Sequence, residues 1–129
     1  YGGLGLDFTF NAIINEELTY AMMADSITLQ TDITMPYILH YGSEEQKAHI
    51  LPRMLSGETI VAMAMTEPGA GSDLQGVRTT ARLDGSDYLI NGAKTFITNG
   101  QNADLIITVC KTDPDAGAKG TSLLLVEAF

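Results

Sequence analysis

Two textures along this 129-residue chain predict an α+β fold, a helical segment followed by antiparallel β structure. Over residues 7–58 apolar side chains recur at helical spacing. Beyond Gly57 they come in short runs, set between or beside Asp-Gly and Asn-Gly pairs that favour tight turns. The change near residue 58 is the one boundary the composition suggests, with a helical part over 1–58 and a β part over 59–129. No internal repeat interrupts this division.

The glycine-rich opening YGGLG reads as a turn ahead of a helix. Asp7 is placed to cap that helix, and Phe10, Ile13, Ile14, Leu18 and Ala21 follow at its period. A second apolar series runs through DSITLQTDITMPYILHYG, where Pro36 is expected to kink or restart the helix and Gly42 to end it. Ser43 and Gln46 form a capping-box pattern for a further helix. Ile50, Met54 and Leu55 supply its apolar side, Pro52 disturbs it, and Gly57 ends it. The β part offers strand runs at Ile60–Met65, Tyr88–Ile90, Thr95–Thr98, Leu105–Cys110 and Ser122–Val126. VRTTARL alternates in strand fashion. Asp84-Gly85, Asn91-Gly92 and Asn99-Gly100 are the expected turns, and KTDPDAGAKGT a solvated loop on a hairpin.

Seven basic residues against sixteen acidic ones leave a net charge of −9, which repels a phosphate backbone and argues against nucleic acid as a partner. It does not exclude one phosphorylated cofactor, because backbone N–H groups can hold a phosphate without a lysine. The single cysteine, Cys110, lies in an apolar run; it cannot form an internal disulfide and fits a reducing compartment. No run of about 18 apolar residues suggests a membrane span. His40 and His49 stand alone, without metal-ligand spacing, and no metal is expected. Tyr1 in place of an initiator methionine, and an apolar run up to the end, suggest a piece of a longer chain.

The stretch VAMAMTEPGAGSDLQG, residues 61–76, carries the first chemical signal. As a strand it would put Met63 and Met65 on one face, and Ala62, Ala64 and Thr66 on the other. The small side chains leave space beside the sheet, and Thr66 ends the strand with a hydroxyl that donates and accepts. Pro68 stops the ladder, while Gly69 and Gly71 permit positive φ or close approach to a ligand. Ser72 and Asp73 then cap or bind. The pattern suits a flat polar ring at the strand end with a phosphate by the glycine bend. A bulged turn that holds nothing is the alternative. No Gly-Lys-Ser/Thr follows, and no G-x-G-x-x-G occurs, so neither common nucleotide loop is present. The second signal is NGAKTFITNG, residues 91–100, where Phe96 and Thr98 would share one face of a strand. A ring beside a hydroxyl can cover a heterocycle and bond its edge; a core phenylalanine in a hairpin is the plain alternative.

Taken together, AMTEPGAGSDLQG followed by INGAKTFITNG closely resembles the acyl-CoA dehydrogenases, and YGGLGLDFTFNAIINEEL with YGSEEQKAHILPRMLSGE looks like their preceding helices. GSDLQGVRT looks most like the long-chain branch. The resemblance implies the end of a helical N-terminal domain and a middle antiparallel β-barrel, with the C-terminal helical domain absent. It implies FAD as cofactor, lined by Met63, Ala64, Met65, Thr66, Gly71 and Ser72 and covered by Phe96, Ile97 and Thr98. Thr66 would meet the polar edge of the flavin, Thr98 would bond near N5, and Ser72 would lie near the pyrophosphate and the acyl-CoA. Ala24 and Thr28 would line the acyl pocket. Phe96 stands where many relatives have tryptophan, and Met63 where some have an aromatic. The implied reaction is α,β-dehydrogenation of an acyl thioester, with electrons passing to an electron-transferring flavoprotein and a homotetramer as the working form. The catalytic glutamate would lie outside this chain, so Glu67 reads as structural or as phosphate-loop scaffolding, and Glu16 and Glu17 as a solvated face. The isolated chain is then expected to bind FAD weakly or not at all and to turn nothing over. An acyl-CoA oxidase, or a non-catalytic binding or assembly member of the fold, remains open. The compartment would be the cytoplasm of a bacterium or the matrix of a mitochondrion.

Overall fold

A computed structural model describes residues 1–23 and 27–128. The chain folds as two compact units, Tyr1–Val61 and Ala62–Phe129.

The first unit is helical. Helix α1 spans Phe8–Tyr20, and the Asp7 carboxylate accepts the Thr9 N–H at 2.8 Å, as its capping position predicts. Its apolar residues are not buried: Phe8, Ile13 and Ile14 are half or more exposed. Polar side chains tether the helix instead. Asn11 and Asn15, one turn apart, donate to the two oxygens of Asp32 at 2.7 Å each. Asp32 sits in a π-helical turn, Leu29–Thr34, that runs directly into helix α2, Met35–Tyr41. Pro36 falls in the first turn of α2, where a missing N–H leaves no ladder bond open, so the proline restarts the helix rather than breaking it. Gly42 ends α2 in extended backbone, its N–H on the Ile38 carbonyl at 2.9 Å.

Helix α3, Glu44–Ser56, opens on the full capping box. Ser43 Oγ accepts from Gln46 N at 3.2 Å, and the Gln46 side chain accepts from Ser43 N at 2.9 Å. The helix continues through Pro52 and closes at Gly57, whose φ of 79° is the left-handed cap glycine favours. Ile50, Leu51 and Met54 are buried. Ser43→Ala is expected to cost about 1 kcal/mol, read as a lower midpoint in chemical denaturation. Gln30 then fixes the chain as it leaves α3, donating to the Thr59 carbonyl at 2.7 Å and accepting from Val61 N at 3.0 Å.

The second unit holds a five-stranded sheet. Its strands are β1 Val61–Ala64, β2 Thr80–Asp84, β3 Asp87–Asn91, β4 Leu105–Lys111 and β5 Thr121–Glu127. β2 and β3 form a hairpin about Gly85-Ser86, with Asp84 opposite Asp87 and Gly85 at φ 66°. β4 and β5 pair antiparallel over seven residues each, from Leu105↔Glu127 to Lys111↔Thr121. β4 also pairs with β1 and with β2. The β2–β4 contact is parallel, through Thr80↔Lys111, so the expected antiparallel barrel is corrected to a mixed sheet that does not close on itself. The reason is long-range: β3 returns to the start of β2, and β4 then arrives beside that same end running the same way as β2. Leu105, Ile107, Val109 and Cys110 of β4 are buried, as are Val77, Thr79 and Ala81 on alternate positions leading into β2.

Candidate functional site

β1 ends at Ala64, and all four of its residues are buried. The expected open space beside Ala62 and Ala64 is therefore absent: they are 0% and 4% exposed, and Met63 is buried too. Met65 and Thr66 lie beyond the strand and are half-buried, Met65 packing on a cluster of Ala70, Val77 and Val109. Glu67 and Ala70 exchange backbone hydrogen bonds across Pro68-Gly69, N–H of 67 to carbonyl of 70 at 2.9 Å and the reverse at 3.1 Å. Gly69 and Gly71 do not take positive φ, and an added Cβ on either would meet nothing within 4 Å. Their value is the open space alongside them. Asp73 caps the short turn Leu74–Gly76, accepting from Gln75 N at 3.1 Å. Ser72 is exposed, with no hydrogen bond to its hydroxyl among the described residues.

The second motif differs from the expected strand. Residues 92–98 form no ladder, and Phe96 takes a left-handed φ of 56° with its ring 94% exposed. An aromatic residue in that conformation is unusual and commonly marks a functional position. Phe96 and Thr98 thus share no strand face; Thr98 is exposed at the start of a turn around Asn99, itself at φ 63°. Ile97 is half-buried, and its carbonyl accepts from Gly100 N at 3.0 Å.

The two motifs meet. Thr95 N donates to the Thr66 carbonyl at 2.9 Å, one residue before Phe96 and three before Thr98. Lys94 Nζ reaches the Met65 carbonyl and Glu67 Oε1, both at 2.9 Å. Glu67 is the centre of this knot. Its Oε1 also accepts from Thr79 N at 2.9 Å, and its Oε2 from Arg78 N at 2.7 Å. The Lys94 and Glu67 side chains are 11% and 6% exposed, so the ion pair is largely out of water. Burial alone would raise the Glu67 pKa. The Thr79 hydroxyl nearby, the Arg78 and Thr79 N–H groups and the Lys94 ammonium outweigh it and hold the carboxyl down at about 2. The Thr79 hydroxyl makes no well-formed hydrogen bond of its own, so the backbone donors and the ammonium carry the effect. A carboxylate so committed braces the segments that carry its donors.

What remains free is distinctive. The Thr66 N–H, the Thr66 hydroxyl and the Thr98 hydroxyl take no partner among the described residues, and an exposed ring stands between them along the chain. That set fits a flat heterocycle with polar edges. Thr28 is exposed at the entry to the π-helical turn of the first unit, and Ala24 lies outside the described residues. Cys110 is buried, and burial pushes its thiol pKa up. Among the described residues no cluster of His, Cys, Asp and Glu could hold a metal, and no helix is long and apolar enough to cross a membrane.

The acyl-CoA dehydrogenase middle-domain model matches residues 62–128, and the acyl-CoA dehydrogenase N-terminal-domain model matches residues 1–58. The chain belongs to the acyl-CoA dehydrogenase family. It is similar to the mitochondrial long-chain specific acyl-CoA dehydrogenase of Sus scrofa, 53% identical over 98% of this chain and 30% of that protein. The crystal structure of an acyl-CoA dehydrogenase from Geobacillus kaustophilus superposes with a TM-score of 0.89 at 54% identity, over 98% of this chain and 34% of that one. A glutaryl-CoA dehydrogenase from Mycobacterium smegmatis, solved in complex with FADH2, superposes with a TM-score of 0.69 at 44% identity, over 76% of this chain and 24% of that one. The chain thus spans about a quarter to a third of the length of these relatives.

Proposed function

We propose that the protein to which this chain belongs catalyses α,β-dehydrogenation of an acyl-CoA thioester with FAD, and that residues 62–128 supply one wall of the flavin site. The observation that carries the reading is the Thr95-to-Thr66 hydrogen bond, which sets a strand end with free donors beside the displayed Phe96. FAD, when bound, would accept the hydride that leaves the β carbon. The Thr66 N–H and hydroxyl would donate to the ring's polar edge, where charge accumulates on reduction. Phe96 and Ile97 would cover one ring face, and Thr98 would bond near N5. Met63 and Ala64, buried behind the strand end, would support that wall without touching the ring. Gly71 and Ser72 would receive the pyrophosphate, the open space at Gly71 admitting it. Ser72 would also face the acyl-CoA, and the relatives' names favour a long chain. The base would come from another part of the protein, since Glu67 is committed to its donors. An electron-transferring flavoprotein would take the electrons from a homotetramer.

The test is anaerobic addition of long-chain acyl-CoA to the full-length protein. A bound-flavin spectrum that bleaches supports the reading; a colourless protein refutes it. Rapid peroxide release in air would instead mark an oxidase. Thr98→Val in the full-length protein should slow flavin reduction by the equivalent of about 0.5–1.5 kcal/mol, and an unchanged stopped-flow rate would remove Thr98 from the N5 role.

A further inference from the structure

The reading above makes no use of Lys94, and the geometry gives this residue more to do than hold Glu67. Glu67 already receives two backbone N–H groups, one on each oxygen. The same ammonium also sits on the Met65 carbonyl at 2.9 Å. That carbonyl belongs to the Met65–Thr66 peptide, whose other end is the Thr66 N–H. Thr66 is half-buried, and its N–H takes no partner among the described residues. A cation on an amide oxygen draws electron density from the nitrogen, and in a poorly solvated setting the N–H becomes a stronger donor. The next carbonyl, of Thr66, is held by Thr95 N, so the Thr66 backbone is fixed on both sides.

We propose that Lys94 is a positioning residue that polarises the Met65–Thr66 peptide, strengthens the Thr66 N–H, and thereby raises the electron affinity of a flavin bound at that edge. The inference rests on the flavin site proposed above.

The test uses the full-length protein in four forms: wild type, E67Q, K94R and the double variant E67Q/K94M. The double variant removes both charges, so neither is left buried alone. Two readouts are taken, the midpoint potential of the bound flavin and the Thr66 amide proton shift in flavin-stripped protein. In E67Q/K94M the equilibrium constant for flavin reduction should fall about tenfold, a shift of ~30 mV to more negative potential for a two-electron couple. The Thr66 amide proton should move upfield. E67Q, which keeps the ammonium on Met65 and removes a negative charge, should stay at or above the wild-type potential, and K94R, which keeps a cation, should stay near it. If E67Q/K94M does not fold, E67Q/K94Q carries the same comparison with an uncharged donor. A charge-free variant with wild-type potential and bound flavin overturns the inference and leaves the proposed function standing. A wild-type protein without flavin overturns both.

Discussion

Glu67→Ala should lower the stability of the β unit by about 3–5 kcal/mol, because it strands a buried Lys94 ammonium and unpairs two backbone N–H groups. Glu67→Gln should cost less, since its one amide oxygen still accepts from Thr79 N and Lys94 and only the Arg78 N–H loses its acceptor. Chemical denaturation of the three proteins at neutral pH measures both, and a loss below about 1 kcal/mol for the alanine variant would mean the pair behaves as a solvated surface bridge. The acid response follows from the same group. Its folded pKa of about 2 lies below the usual 4.5, so the ionised form is the one folding favours. The stabilisation is complete above about pH 4.5 and disappears as pH falls through about 2. A shift of that size corresponds to roughly 3 kcal/mol. Glu67→Gln should flatten the stability profile between those two values while leaving its slope near neutrality alone.

Gly92→Ala is the second large effect, expected at about 1–3 kcal/mol in a urea titration. Thr80 pairs with Asn91, so Thr79 and Gly92 are the next residues along the hairpin. A Cβ at 92 would overlap the Thr79 hydroxyl and lie 2.6 Å from Thr79 Cβ and 2.7 Å from its Cα. Thr79 cannot step aside freely. Its N–H is on Glu67 and its carbonyl accepts Lys111 N at 2.8 Å. The strain should therefore reach Glu67, and the variant should also lose part of the acid profile above. Gly71→Ala is the control, with nothing within 4 Å of the new methyl and a stability change expected within about 0.5 kcal/mol. If Gly92→Ala proves as mild as Gly71→Ala, the close approach to Thr79 is not what position 92 requires.

Local chemistry was legible in the sequence. Asp7, the Ser43–Gln46 box, Gly57 and the Asp84-Gly85 hairpin each act within a few residues, and each does what its type and spacing predict. The failures share a cause. Asn91-Gly92 reads as a turn, yet Asn91 ends β3 and Gly92 approaches Thr79, the residue just before β2. Thr95–Thr98 has strand composition, but Thr95 is drawn to Thr66 and the backbone turns left-handed at Phe96. The parallel Thr80↔Lys111 pair that opens the sheet joins residues far apart in the chain, and no local pattern announces it. Glu67 could be read as structural, but its partners Arg78, Thr79 and Lys94 stand 11, 12 and 27 positions away. The one available hint was a lone lysine in an otherwise uncharged stretch, NGAKTFITNG.

The bonds from residue 94 span 27 and 29 positions, and they have a consequence for anyone wishing to transplant this binding wall. Neither motif is portable. A peptide copied from either one lacks the other half of its scaffolding, and the loop-closure entropy of so long a separation must be met by the sheet between them. A graft would need the whole span from Met65 to Gly100 on a host sheet of matching register.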